Sequence, residues 1–140
     1  MTLTAIQANG VGLPGYSATL PCEPQSAGRA RRLVSAALNT WVLGELVDAG
    51  MLCVSELVAN SVQHSGCRLV HISVERLTHH RVRIAVGDGS RQTVASRKTA
   101  DDEETGRGLL IVQALSSSWG VHDNGPGKVV WACLVAKEGA

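Results

Sequence analysis

The chain carries no surplus of either charge. Thirteen lysines and arginines stand against twelve aspartates and glutamates, interspersed, for a formal net charge of +1, which excludes the electrostatic footprint of a nucleic-acid binder. There is no apolar run of about 18 residues and no basic, apolar, small-residue leader, so neither a membrane span nor a secretion signal is visible. The expectation is a cytoplasmic protein that touches neither nucleic acid nor membrane. Cysteine pairs at C-x-x-C spacing are also absent. Cys22, Cys53, Cys67 and Cys133 are scattered, three of them within apolar or periodic segments, and are expected to be small buried hydrophobes in a reducing compartment rather than a disulfide or zinc site. His79-His80 falls between two strand-like runs and reads as a solvated hairpin turn, with no metal assigned. No internal repeat or low-complexity tract occurs.

What is present is enough for one compact domain: 140 residues, 44% of them hydrophobic, can bury a substantial core. Residues 1–15, with three glycines and no periodicity, read as a flexible amino-terminal arm, and 16–140 as a single domain. Tyr16 to Leu20 suits a short strand. Apolar positions at Ala30, Leu33, Val34, Ala37, Leu38 and Trp41 predict a helix over roughly 25–43, ending at Gly44. A second helix runs from about Leu46 to His64, with Ser65-Gly66 as its stop. Val70, Ile72 and Val74 are answered by Val82, Ile84 and Val86, the period-two signature of a hairpin over 68–77 and 81–88. Residues 90–105 are polar, aperiodic and too long for an ordinary connection, which suggests a functional lid. It carries Arg91, Arg97 and Lys98 early and Asp101 to Glu104 late, the acids expected to face solvent or a protein partner. A third helix begins near Gly108, and strands Trp119 to Asp123 and Lys128 to Val135 flank the turn Asn124-Gly125-Pro126-Gly127. The predicted fold is α+β: a two-layer α/β sandwich, its sheet mixed but mainly antiparallel, with three helices on one face.

Three polar clusters interrupt this apolar scheme. In Val54-Ser55-Glu56-Leu57-Val58-Ala59-Asn60-Ser61-Val62-Gln63-His64-Ser65, Glu56, Asn60 and His64 are successive i, i+4 neighbours on one stripe. Magnesium shares substrate phosphates and keeps waters, so the Asn60 amide oxygen is a sufficient protein ligand for it. Glu56, a turn earlier, can take a proton from a hydroxyl or water aimed at a terminal phosphate. His64 can contact a phosphate or cap the helix end. Taken alone, such a stripe is more simply a solvated helix face.

Asp88 continues the phase of Val82, Ile84 and Val86 to the strand's exit, where a carboxylate on the helix-facing side is expensive without a partner. A carboxylate there can accept the exocyclic amine of adenine, and Gly89 beside it permits close approach to the backbone; an Asp-Gly turn is the plainer account of the pair by itself. In Thr105-Gly106-Arg107-Gly108-Leu109, two glycines at a helix start let amides close around phosphate oxygens, with Arg107 adding a charged contact.

In this order the three blocks resemble the N box and the two glycine boxes of the GHKL ATPase superfamily, whose members share the Bergerat ATP-binding fold. The runs VSELVANSVQHS, VGDGS, TGRGLLIVQALSSSWGV and GKVVWACL look like bacterial anti-sigma-factor serine/threonine kinases of the SpoIIAB and RsbW type, over about residues 20–136. The resemblance implies ATP and Mg2+ as cofactors, Glu56 as catalytic base and Asn60 as magnesium ligand. It further implies Asp88 as adenine reader, Gly106 and Gly108 as phosphate-loop glycines, and His64 and Arg107 as phosphate contacts. The implied activity is phosphorylation of a serine on an anti-anti-sigma protein of the STAS fold, the kinase otherwise sequestering a sigma factor, usually as a homodimer. Asp88-Gly89-Ser90 lacks the second glycine of the superfamily's D-x-G-x-G, and no dimerisation and phosphoacceptor helix pair precedes the domain. Two other readings remain open: a nucleotide-gated interaction module that transfers no phosphate, and a scaffold that binds no nucleotide.

Overall fold

The computed structural model describes residues 13–64, 68–88, 104–123 and 127–137, together with the backbone of 7–8. The elements, in chain order, are β1 (Gln7–Ala8), β2 (Pro14–Pro21), α1 (Ser26–Thr40), a 3-10 turn (Gly44–Leu46), α2 (Val47–His64), β3 (Leu69–Thr78), β4 (Arg81–Asp88), α3 (Glu104–Leu115), β5 (Ser118–Asp123) and β6 (Lys128–Val135). The strands form one sheet in the order β1-β2-β3-β4-β6-β5. Every neighbouring pair is antiparallel. Among the described residues the expected parallel component does not form, because β6 inserts between β4 and β5 and separates the two strands that the α3 crossover connects. The sheet also reaches further toward the amino terminus than the sequence pattern suggested: Gln7 pairs with Gly15 and Ala8 with Pro14.

One sheet face is built of short aliphatic side chains held in register. Ile72 lies opposite Val86 and Val74 opposite Ile84, while Ile84 and Val86 meet Ala132 and Val130 across β6. All six are buried. Onto this face α1 lays Ala30, Leu33, Val34, Ala37 and Leu38, and α2 lays Cys53, Val54, Leu57 and Val58. Each fully buried leucine or valine contributes about 1.5–3 kcal/mol relative to exposure, so the helices are held by their apolar stripes. His79-His80 form the β3–β4 turn, as expected from their polarity. Among the described residues no helix is long and apolar enough to cross a membrane.

Helix α1 stops three residues short of the expected end, and Gly44 is not its terminator. Leu43 N–H bonds to Leu38 O at 2.8 Å and Val42 N–H to Asn39 O at 3.1 Å, the paired closure of a Schellman motif, with Leu38 and Leu43 both buried as its apolar contact. The left-handed position of such a motif favours glycine. Here it is Val42, at φ 58 and 87% exposed, a β-branched residue held in a region that L side chains seldom adopt. Burying Leu43 drives the backbone through this angle. Replacing Val42 with glycine should therefore raise the unfolding free energy by about 1 kcal/mol, the αL strain outweighing glycine's extra chain entropy; a urea midpoint that falls instead would contradict this account.

The cysteines divide differently from expectation. Cys53 and Cys133 are free and buried, but Cys22 is disulfide-bonded. The Cys22 N–H bonds to Arg68 O at 2.9 Å, a proximity that linear spacing conceals. Cys67 lies outside the described residues. Burial, and secondarily the charge of Glu56 one turn along α2, push the Cys53 thiol up from 9.0 to about 11. Because the folded-state value lies above the ordinary one, the stability this thiol contributes is complete below pH 9 and is lost as pH rises toward 11. Native protein at pH 8 should thus resist alkylation at Cys53 until unfolded by urea, and Cys53→Ala should flatten the decline of stability between about pH 9 and 11. Prompt labelling of native Cys53 would refute it.

Candidate functional site

Helix α2 turns one stripe to the sheet and an adjacent one toward α3 and the head of β6. On that second stripe Glu56 is half-buried, whereas Asn60 and His64 are 7% and 8% exposed. A solvated polar face, the simpler account of the sequence pattern, is therefore not what these residues form. Polar side chains enclosed to this degree lie in a seam between packed elements and require partners there.

Asn60 has one. Its Oδ1 accepts a hydrogen bond from Lys128 Nζ at 3.2 Å, and Lys128 is itself only 4% exposed. Lys128 is the first residue of β6 and stands in register with Asp88 at the end of β4. Directly opposed residues of antiparallel strands project to the same face, so Asp88 and Lys128 share the helix-covered side. Asp88 is half-buried overall, with Oδ2 wholly enclosed. A carboxylate from β4, an ammonium from β6 and an amide from α2 thus succeed one another across the seam.

The glycine segment sits differently from expectation, since α3 begins at Glu104 and Gly106 and Gly108 lie inside its first turns rather than before them. The consequence is a close approach. A Cβ placed on Gly108 would lie 3.1 Å from Glu56 Oε1, so the missing side chain is what lets the carboxylate of α2 rest against the backbone of α3. Leu109 packs against the core, and Val112, fully buried, anchors the helix. Thr105 and Arg107 belong to α3 by backbone, their side chains falling outside the described residues; of the lid expected over 90–105, residues 90–103 lie outside the described residues, as does Gly89.

Five candidate positions and Lys128 are thereby gathered about one seam: Glu56 against Gly108, Asn60 bonded to Lys128, Lys128 opposite Asp88, and His64 one turn beyond Asn60. Lys128 was not anticipated. In the sequence it is a single lysine after a turn, and only strand pairing reveals that it faces Asp88. Among the described residues no group of three His, Cys, Asp or Glu side chains converges to hold a metal. Magnesium borne largely by phosphate oxygens and waters requires no such cluster, and Asn60 Oδ1 already faces a cation in the form of the lysine ammonium. The donor set fits a single amide ligand.

Comparison with known proteins bears on the same region. A family model described as the histidine kinase-like ATPase domain matches residues 20–134. Among solved structures, the RsbU and RsbW domains of Rv1364c from Mycobacterium tuberculosis match with a TM-score of 0.64 at 19% identity, over 92% of this chain and 34% of that one. At that identity the likeness is one of fold, and this chain spans about a third of that protein. No curated protein matches. With the three-helix, antiparallel α+β architecture and the helix-borne acid and amide beside a glycine-bearing helix start, the match over most of its length makes this chain a member of the histidine kinase-like ATPase domain family.

Proposed function

We propose that the chain is an ATP:protein serine kinase of the anti-sigma-factor type, which phosphorylates an anti-anti-sigma partner of the STAS fold and otherwise sequesters a sigma factor, in the cytoplasm and as a homodimer. The observation that carries the reading is the Glu56 carboxylate set against α3 at Gly108, one turn from the Asn60 amide on the same helix. The solved protein with the similar fold contains an RsbW domain, which supports the anti-sigma assignment at the level of resemblance.

Asp88 accepts the exocyclic amine of adenine, a position where guanine's carbonyl would be repelled. The first-turn amides of α3, with Gly106 and Gly108 offering no side-chain obstruction, receive phosphate oxygens at the positive end of the helix. Asn60 is the residue that would hold Mg2+, which when bound would supply neutralisation of the phosphate charge. Glu56 takes the proton from the partner's serine as its oxygen bonds to the terminal phosphorus, while the electron pair of the breaking bond leaves with ADP. A homodimer would use the open sheet face, where Val129 and Trp131 line a shallow cavity beside the Arg83–Glu75 ion pair.

Incubation with radiolabelled ATP and candidate partners tests the assignment. Glu56→Ala should lower label transfer by about 10²- to 10⁴-fold, the usual contribution of a positioned general base, with ATP affinity held within about threefold. Normal transfer by that variant would remove Glu56 from the role, and wild-type protein that binds ATP yet labels no partner serine would indicate a nucleotide-gated interaction module instead. Gly108→Ala separates geometry from stability. The added methyl makes the carboxylate give by a few tenths of an ångström, so transfer should fall by about tenfold while the melting temperature holds or rises, alanine being favoured over glycine in a helix by about 1 kcal/mol.

A further inference from the structure

Lysine is seldom fully buried unless its charge is compensated, and enclosing an ammonium costs several kcal/mol before any partner is counted. At the head of β6 an apolar side chain would fill the same space at less cost, since replacing a buried charged group with a hydrophobic one of similar volume is often neutral or stabilising. Yet Lys128 is 4% exposed, and its Nζ lies 3.2 Å from Asn60 Oδ1, the oxygen assigned above to the metal. Its backbone partner across the sheet is Asp88, the residue assigned to the base. The lysine therefore stands at the junction of the two ends of the site, and the activity described above gives it no part.

We propose that Lys128 is a resident cation of the nucleotide site. Resting on the proposed function, this inference assigns the lysine two tasks: its N–H keeps the Asn60 amide turned with oxygen inward, and its fixed charge attracts the phosphate chain before any metal arrives. A carbonyl-type oxygen has two lone pairs, so Asn60 Oδ1 can retain the lysine bond and still serve a metal. Where a tethered ammonium already supplies positive potential, the nucleotide binds with less dependence on divalent ions than it would at a bare amide. Removing the ammonium should then weaken metal-free binding far more than metal-assisted binding.

Calorimetric titration of ATP in EDTA and in excess magnesium chloride tests this on the full chain. Lys128→Met should lose about tenfold or more in affinity in EDTA but less than about threefold in magnesium, tenfold corresponding to about 1.4 kcal/mol. Lys128→Arg, which keeps the charge, should recover most of the loss. Lys128→Gln keeps an N–H donor toward Asn60 without charge, should match the methionine variant in EDTA, and decides the matter alone if the methionine variant does not fold. Equal losses in both buffers, no loss in either, or wild-type affinity of Lys128→Gln in EDTA would each overturn the proposal. Wild-type protein that binds no ATP in either buffer would instead overturn the proposed function on which it rests.

Discussion

Helix α2 is clamped by Cys53, Val54, Leu57 and Val58, none with any solvent contact, against the aliphatic face of the sheet and the inner side of α1. This clamp sets the rotation of the helix about its own axis. With Leu57 and Val58 committed to the core, the 3.6-residue repeat leaves Glu56, Asn60 and His64 no freedom over which way they point. A rotation that released Asn60 toward bulk water would pull Leu57 out of the core, at a cost set by the burial of a leucine, about 1.5–3 kcal/mol. The candidate site inherits its precision from apolar packing a few ångströms away. The same clamp accounts for the burial of the Cys53 thiol, which shares its turn with Glu56 but faces the core.

The second constraint is electrostatic. An apolar seam that encloses an amide, an ammonium and part of a carboxylate is expensive, and a protein selected for stability alone would have little reason to keep it. The cost is moderated because the groups meet one another: an amide oxygen is a good acceptor for an ammonium, and charge-assisted bonds are stronger than neutral ones. Such a seam is also what a polyanionic ligand needs, since fixed dipoles and charges in a dry setting act more strongly than they would in water.

Much of this was legible in the sequence because it rests on local periodicity. The α2 stripe, the hairpin formed by β3 and β4 and the turn at His79-His80 follow from spacing that requires no knowledge of the rest of the chain. The Asp88 placement followed as well, since two-residue phase carries from Val86 through the strand's end. What spacing did not disclose is anything decided between strands far apart in the chain. Lys128 gains its meaning from register with Asp88 and reach to Asn60, contacts between residues far apart in sequence. The end of α1 was missed for a different reason. Val42 occupies a left-handed position normally marked by glycine, so the expected signal lay two residues away at Gly44, where no such turn occurs. The antiparallel order likewise turns on where β6 inserts, which no strand's own sequence records.

The glycines of α3 show how the site and the fold make opposite demands on one helix. Two glycines within its first turns lower helical stability by about 1 kcal/mol each relative to alanine. Nearer its middle, Leu110 and Ile111 stand exposed, so the helix is pinned chiefly by Val112 and Leu109 and by the closure of its last turn, where Ser116 N–H meets Val112 O at 3.0 Å. Stability in α3 is therefore graded, firm toward β5 and weaker toward Glu56. A segment weak at one end and anchored at the other can shift at the weak end without disturbing the core, as elements drawn from the less stable end of a fold commonly do. The glycine that lets Glu56 approach the helix is also one of the residues that loosens it, so close contact and compliance at this end of α3 have a single origin.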